Sequence, residues 1–251
     1  MRFLRFKKIR FLLIPVILLM GGLVFGTGHD GPKKTKLPAH KDSSVTALAD
    51  NNRAFLYDSL DLDGLGLSKE AFNLALTGYQ TLLEAGKVQK DNILTIIDFS
   101  LPSSQKRLFV IDLSTGALLF NTFVSHGRNS GTALASKFSN AFNSFKSSLG
   151  FYTTGSPYSG KHGYSLRLEG QEAGINDNAM ERGIVMHSAD YVNERTIHQM
   201  GYLGRSQGCP AIPEALKKPI IETIRNGSCL FVYSPDKSYT AHSKLLQKGS
   251  I

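Results

Sequence analysis

The hydrophobic pattern changes period near residue 91, and this change restricts the fold more than any other feature of the chain. Before it, Ser68, with Glu70 just inside, opens a run in which Phe72, Leu74, Leu76, Tyr79, Leu82 and Leu83 recur at threes and fours until Gly86. That is the spacing of a helix buried on one face. Helical spacing also runs over 45–60 through Val45, Leu48, Ala49, Phe55 and Leu56. After the change, β-branched and aromatic runs occupy 93–99, 107–113 and 118–124, the last two joined by the turn residues Ser114, Thr115 and Gly116. Further strands are predicted over 150–154, 164–168, 183–187 and 229–234. Helices are predicted over 193–200 and 214–226, the second entered at Pro213 and stopped by Gly227. Closely spaced strands joined by Gly/Ser loops predict a mainly β fold, a β-sandwich or barrel, with N-terminal helices and two or more peripheral helices, rather than βαβ units.

At 251 residues the chain is long enough for a full core. Its formal charge of +9 would suggest a nucleic-acid partner if it were spread over the body. It is not: Met1 to Gly28 carries five basic residues and no acid, and the Lys-rich stretch after it adds more, leaving about +2 for residues 45–251. No nucleic-acid binding is therefore expected. The basic opening is followed by the apolar run FLLIPVILLMGGLVFG, which predicts a signal peptide or N-terminal membrane anchor over 1–28 and an exported protein of the periplasm or cell envelope. The Pro/Lys-rich segment 29–44 reads as a flexible linker, 45–90 as a helical segment, 91–235 as the main domain and 236–251 as a C-terminal tail. Oligomeric state is not legible.

Two cysteines in an exported chain first suggest a disulfide. Their settings differ, however. Cys229 lies in the strand-like run Ser228 to Tyr233, where a small thiol packs well, and Cys209 lies in the turn sequence GRSQGCPAIP, Gly204 to Pro213. Cys209 is thus the candidate nucleophile, and His187, at the end of the apolar run from Gly183, the candidate base. Gly208 leaves room for a substrate carbonyl, and its amide with that of Cys209 is a candidate oxyanion hole; Ser206 could steady the imidazole or the turn. His126, which also follows a strand, competes with His187 as base, and Arg128 and Asn129 beside it either face substrate or form a turn. The polar stretch His126 to Gly163, with Phe138, Phe142, Phe145, Phe151, Tyr152 and Tyr158 interleaved, reads as a groove wall for an extended polar ligand or as a solvated loop with aromatic pegs. A zinc site would have to draw on His126, His162 and His187, with Asp190 or Glu181, and no paired short spacing supports one, so no metal or organic cofactor is implied.

A histidine ending an apolar strand, followed by Ser-x-Gly-Cys, resembles the L,D-transpeptidase (YkuD-type) family, in its murein L,D-transpeptidase catalytic domain branch. Further landmarks are Ile97 to Ser100, His126 to Gly131, Phe138 to Asn140, Ser147 to Gly150, Gly160 to Gly163 and Gly204 to Pro210, so the likeness covers roughly 55–235. It implies a β-rich catalytic domain over 91–235, a cysteine-dependent acyltransferase, peptidoglycan stem peptides as substrate, and covalent trapping by carbapenems. It places the nucleophile on Cys209, the histidine on His187, and the motif serine and glycine on Ser206 and Gly208. The pattern departs at Gln207, where His or Arg is common, and at Ala211, where Arg is frequent; Arg205 or Arg128 would then supply the substrate-carboxylate contact. The implied reaction is thioester formation on a stem peptide, resolved by an amine or by water. The alternatives are an L,D-carboxypeptidase or hydrolase only, and a non-catalytic exported domain that binds the cell wall with Cys209 bridged to Cys229.

Overall fold

The computed structural model describes residues 52–247; the expected signal or anchor segment and linker lie outside them, as do residues 45–51 and 248–251. Among the described residues no helix is long and apolar enough to cross a membrane. Helix α1 spans 52–59 and α2 Lys69–Glu84. Strands follow as β1 Ile93–Asp98, β2 Leu108–Asp112, β3 Ala117–Thr122, β4 Gly150–Gly160, β5 Gly163–Gly170 and β6 Val185–Ser188. The chain then forms α3 Glu194–Met200, β7 Ala211–Ile212, a 3-10 turn Glu214–Leu216, α4 Lys217–Ile224, β8 Cys229–Tyr233, α5 Lys237–His242 and α6 Lys244–Gln247.

All eight strands form one mixed sheet in the order β3-β2-β1-β8-β4-β5-β6-β7, parallel at β1/β8 and β6/β7 and antiparallel elsewhere. Every residue of β1 and of β8 is buried, as expected of central strands covered on both faces. The sheet curls toward a barrel, because the segment leaving β3 at one edge reaches the other: Ser125 bridges Ala211 of β7, and Gly127 bridges Ser206. The seam so formed is where the turn carrying Cys209 lies.

Helix α2 begins where Ser68 Oγ accepts the Ala71 N–H at 3.3 Å, and the Ser68 N–H donates to Asp98 Oδ2 at 3.0 Å, pinning the helix start to the end of β1. Its apolar face then packs on β1 and β8. A Cβ at Gly78 would come within 2.5 Å of three Phe151 ring atoms, so only glycine allows this close approach of helix to strand. Phe151 in turn stacks on Phe231 at 4.2 Å between ring centroids, both fully buried, each side chain contributing roughly 2–3 kcal/mol by transfer from water.

Three expectations change. The helix expected over 214–226 divides into the 3-10 turn and α4, and its exit turns at Arg225, with Asn226 and Gly227 at φ 65° and 96°. Strand β4 continues past Thr154 through a register shift to Gly160, because pairing with β5 overrides the loop-like Gly155, Ser156 and Pro157. The segment expected as a tail instead docks two helices: Glu172, buried, accepts the Phe151 N–H at 2.8 Å, the Tyr239 hydroxyl at 3.0 Å and the Ser243 hydroxyl. The two cysteines are free, with Cys229 fully buried on β8, so the cystine considered above is absent among the described residues.

Candidate active site

The turn before β7 is built by side chain to backbone bonds. Ser206 Oγ donates to the Cys209 carbonyl at 2.6 Å and accepts the Gly208 N–H at 3.0 Å. Gly208 sits at φ 127°, and a Cβ there would meet Lys146 O at 2.9 Å and Ile184 Cδ1 at 3.0 Å, so the position requires glycine on both counts. From behind, Ser147 Oγ donates to the Gly208 carbonyl at 3.1 Å. Ser206 therefore braces the turn rather than the imidazole. The Gly208 N–H is also already taken, so the oxyanion pair expected from Gly208 and Cys209 reduces to Cys209, whose N–H has no acceptor among the described residues.

Cys209 lies two residues before Ala211, the register partner of His187 in the parallel β6/β7 pair, and both side chains line one cavity of about 410 Å³. The sulfur receives the Val185 N–H at 3.5 Å and points its own hydrogen at the Gly183 carbonyl, 3.6 Å away. Burial pushes the thiol above its ordinary range, against the Val185 N–H and the positive Arg182, which favour thiolate. No hydrogen bond joins Cys209 to His187 among the described residues.

His187 is buried. Its Nδ1 lies 2.8 Å from the Ser188 carbonyl, which can only accept, so Nδ1 carries the proton and the Nε2 lone pair is free. Burial first, and the neighbouring His162 to a lesser degree, lower its proton affinity; the Ser188 carbonyl and Glu214 act in the opposite sense. The His162 ring stacks on it with centroids 4.3 Å apart. The resting site is thus a neutral thiol beside a neutral imidazole rather than an ion pair.

His126 is a different case. Arg107 Nη2 donates to its Nδ1 at 2.8 Å and its Nε2 donates to the Gly131 carbonyl at 3.2 Å, so both nitrogens are committed and the ring is wholly buried away from the cavity. Burial and the Arg107 charge lower its pKa to about 4. It neither faces the cavity as a substrate-binding group nor competes as a base, and with no free lone pair it cannot ligate zinc. Asn129 also turns away, its side-chain amide donating to Ser144 O at 2.9 Å; of its two readings, the turn-forming one fits. Arg128 and Arg205 do line the cavity. The Arg128 guanidinium lies 4.0 Å above the Phe145 ring centroid, and Arg205 Nη1 donates to Gly131 O at 3.1 Å.

The residue that sequence reading missed is Arg182. Its guanidinium, in the cavity wall, bonds Ser139 O, Ser148 Oγ, Ser144 Oγ and Lys146 O at 2.5–3.2 Å, tying down the polar loop after His126. It has no carboxylate partner among the described residues, so its charge is felt at Cys209. Its one sequence signal was its position, immediately before the apolar run that ends in His187. From the groove-wall stretch, Asn143, Phe145, Tyr158, Lys161 and His162 line the cavity, whereas Phe151 and Tyr152 belong to the core.

A curled mixed sheet whose seam holds a polar cleft, with a thiol and a buried imidazole in its wall, defines a mainly β catalytic domain. The family model described as L,D-transpeptidase catalytic domain matches residues 64–233, and the chain belongs to that family. A comparison with curated proteins finds no match. Among solved structures the chain is similar to an L,D-transpeptidase from Mycobacterium smegmatis, at 15% identity over 57% of this chain and 59% of that one, with a TM-score of 0.37. An L,D-transpeptidase from Mycobacterium tuberculosis H37Rv gives 15% identity, 57% and 58% coverage and a TM-score of 0.38. One from Stackebrandtia nassauensis gives 16%, 65% and 68%, and 0.36. The chain thus spans under three fifths of the length of the first of these. At such identities and scores the likeness carries no residue-by-residue correspondence.

Proposed function

We propose that the chain is a cysteine-dependent peptidoglycan L,D-transpeptidase with Cys209 as nucleophile and His187 as base. The observation that carries this is the opening of Cys209 and of His187, with Nε2 unprotonated, onto one cavity whose lining includes Arg128, Lys161, Arg182 and Arg205 and no carboxylate. A stem peptide is rich in carboxylates and suits such a wall.

In the reaction, the thiol turns from the Gly183 carbonyl toward His187, Nε2 takes its proton, and the sulfur attacks the carbonyl joining the L-centre of a diamino acid to the terminal D-alanine. The C–N bond breaks, the imidazolium returns its proton to the departing amine, and D-alanine leaves a thioester. A neighbouring stem's side-chain amine then attacks the thioester, gives up a proton to His187, and the thiol is restored; water in place of the amine gives hydrolysis. The Cys209 N–H is the donor aimed at the developing oxyanion, and the Arg182 charge favours the thiolate. We place the protein outside the cytoplasmic membrane, on the basic and apolar character of residues 1–28.

The test is intact-mass analysis after mixing the protein with a carbapenem. A single adduct is expected on the wild type and on Cys229→Ser, and none on Cys209→Ser. Equal behaviour of the two variants would end the assignment.

A further inference from the structure

The β4–β5 hairpin reaches past the body of the sheet. Strand β4 pairs with β8 only over Gly150–Thr153, but it runs on against β5 to the pair Gly160 and Gly163, leaving a two-residue tip of Lys161 and His162. Gly163, at φ 71°, supplies the left-handed conformation that so short a turn needs. The tip bends over the cleft, and Tyr158, Lys161 and His162 all line it. There the rings of His162 and His187 stack with centroids 4.3 Å apart and planes 21° from parallel. His162 is exposed on its outer side, whereas His187 is buried.

The His187 ring is therefore held twice, at one edge by the Ser188 carbonyl on Nδ1 and across one face by His162. What remains open is the Nε2 side. A flat aromatic neighbour at this distance resists tilting of the ring and keeps water from that face. The contact has a second consequence, because an imidazolium must form on His187 when it takes the thiol proton, and a positive charge on the ring stacked above opposes it.

The other charged and titratable groups around the base act more weakly or in fixed ways. Glu214, on the 3-10 turn, favours the His187 cation but is engaged by Lys217 Nζ at 2.9 Å and by the Ser188 hydroxyl at 2.7 Å. Lys161 shares the hairpin tip, and Arg128, Arg182 and Arg205 line the cavity farther round. Tyr191 is kept protonated, pushed up to about 12 by burial and by Cys209. Cys209 itself rests as the thiol. His162 is the group stacked directly on the base.

Building on the Cys209 and His187 assignment, we propose that His162 is a positioning residue for acyl transfer: the hairpin tip delivers its ring to hold the His187 imidazole in plane, and a proton on His162 switches proton transfer from Cys209 off. The site would then be active only when both stacked rings are neutral.

The experiment measures alkylation of Cys209 by iodoacetamide in the full chain, mapped by peptide mass, between about pH 5 and 9. His162→Phe keeps a ring and abolishes the titration, and His162→Ala removes both. His162 is an exposed turn residue, so both variants are expected to melt within a few degrees of the wild type. The Phe variant should keep the neutral-pH rate within about twofold. Its acid limb should move to lower pH by about half a unit or more, because a proton on either ring switches the wild type off, whereas in the variant only a proton on His187 does. The Ala variant should show the same downward move and a neutral-pH rate lowered about tenfold. The proposal is overturned if the Ala variant matches the wild type, if the Phe variant loses rate as the Ala variant does, or if neither variant's acid limb moves. His187→Ala, run in parallel, separates this from the underlying assignment: if it alkylates as fast as the wild type, the base itself is wrong, and if it alone is slow, only the role of His162 fails.

Discussion

Cys209 and Cys229 carry the same side chain in one chain, and their surroundings alone give them different fates. At the start of β8 burial drives the Cys229 thiol far up and leaves it inert, whereas Cys209 faces a cleft with Arg182 beside it. His187 and His126 are separated in the same way, by which ring nitrogens are already spoken for. That distinction has a consequence for stability. His126 in the folded protein protonates only near pH 4, while in the unfolded chain it protonates near its ordinary value of 6.5. Between those values the unfolded chain binds more protons, so stability is fully present above about pH 6.5 and falls as pH drops toward 4, by up to about 3 kcal/mol. Urea melts at neutral and acid pH should show this loss. His126→Gln, which can still accept from Arg107 and donate to Gly131, should lose less of its stability over the same interval; an equal loss would rule out His126 as the source. As candidates, Cys209 and His187 were legible in the sequence because a thiol in a glycine turn and a histidine ending a strand suggest chemistry by residue type. Arg182 and the His162 stack were not, because their roles come only from what the fold brings against them.

At the scale of elements, the strands with apolar β-branched runs declared themselves, and those made of Gly, Ser, Tyr and Thr did not. The second half of β4 is a strand because β5 pairs with it, and no local propensity would place it there. The C-terminal helices are similar: α5 and α6 are too short to be stable alone. Glu172, a buried carboxylate accepting from Phe151, Tyr239 and Ser243, ties down α5 and the link to α6, which itself packs on α2, where the Thr81 hydroxyl donates to the Leu245 carbonyl at 3.0 Å. Gly150 at φ 101° clears room for it, since a Cβ there would lie 2.2 Å from Glu172 Oε2. Glu172→Ala would leave three buried donors without an acceptor. The expected cost is about 3 kcal/mol or more, at roughly 1–3 kcal/mol per orphaned group. Glu172→Gln, which retains acceptor oxygen, should cost clearly less. Thermal melting gives the ranking, and limited proteolysis should cut the Ala variant first within 237–247. A neutral Ala substitution would mean that these helices are held by packing alone.

The molecule as a whole does something no single stretch of the sequence displays. Closure of the sheet through Ser125 and Gly127 brings Arg128 from the seam, Lys161 from the hairpin tip, Arg182 from the loop before β6 and Arg205 from the turn to the wall of one cavity. Along the chain these residues are scattered, and the body they belong to carries only about +2 beyond its N-terminal segments, so the field in the cleft is local rather than a property of net charge. A local field of this sign should favour donors that keep their carboxylates free. Raising ionic strength from about 0.1 M to about 1 M shortens the screening length from about 10 Å to about 3 Å. Over that range kcat/KM for a free-carboxylate stem tetrapeptide should fall about tenfold, while a stem with those carboxylates amidated should change little. Alkylation of Cys209 by neutral iodoacetamide should also be insensitive to salt, which separates a weakened field from a damaged site. Arg128→Gln should raise KM for the anionic stem about fivefold with kcat within about twofold, because a guanidinium stacked on Phe145 at the rim contributes to binding alike in ground and transition states. Equal salt dependence for the free and amidated stems would show that the four cations hold the cleft together and do not read the substrate.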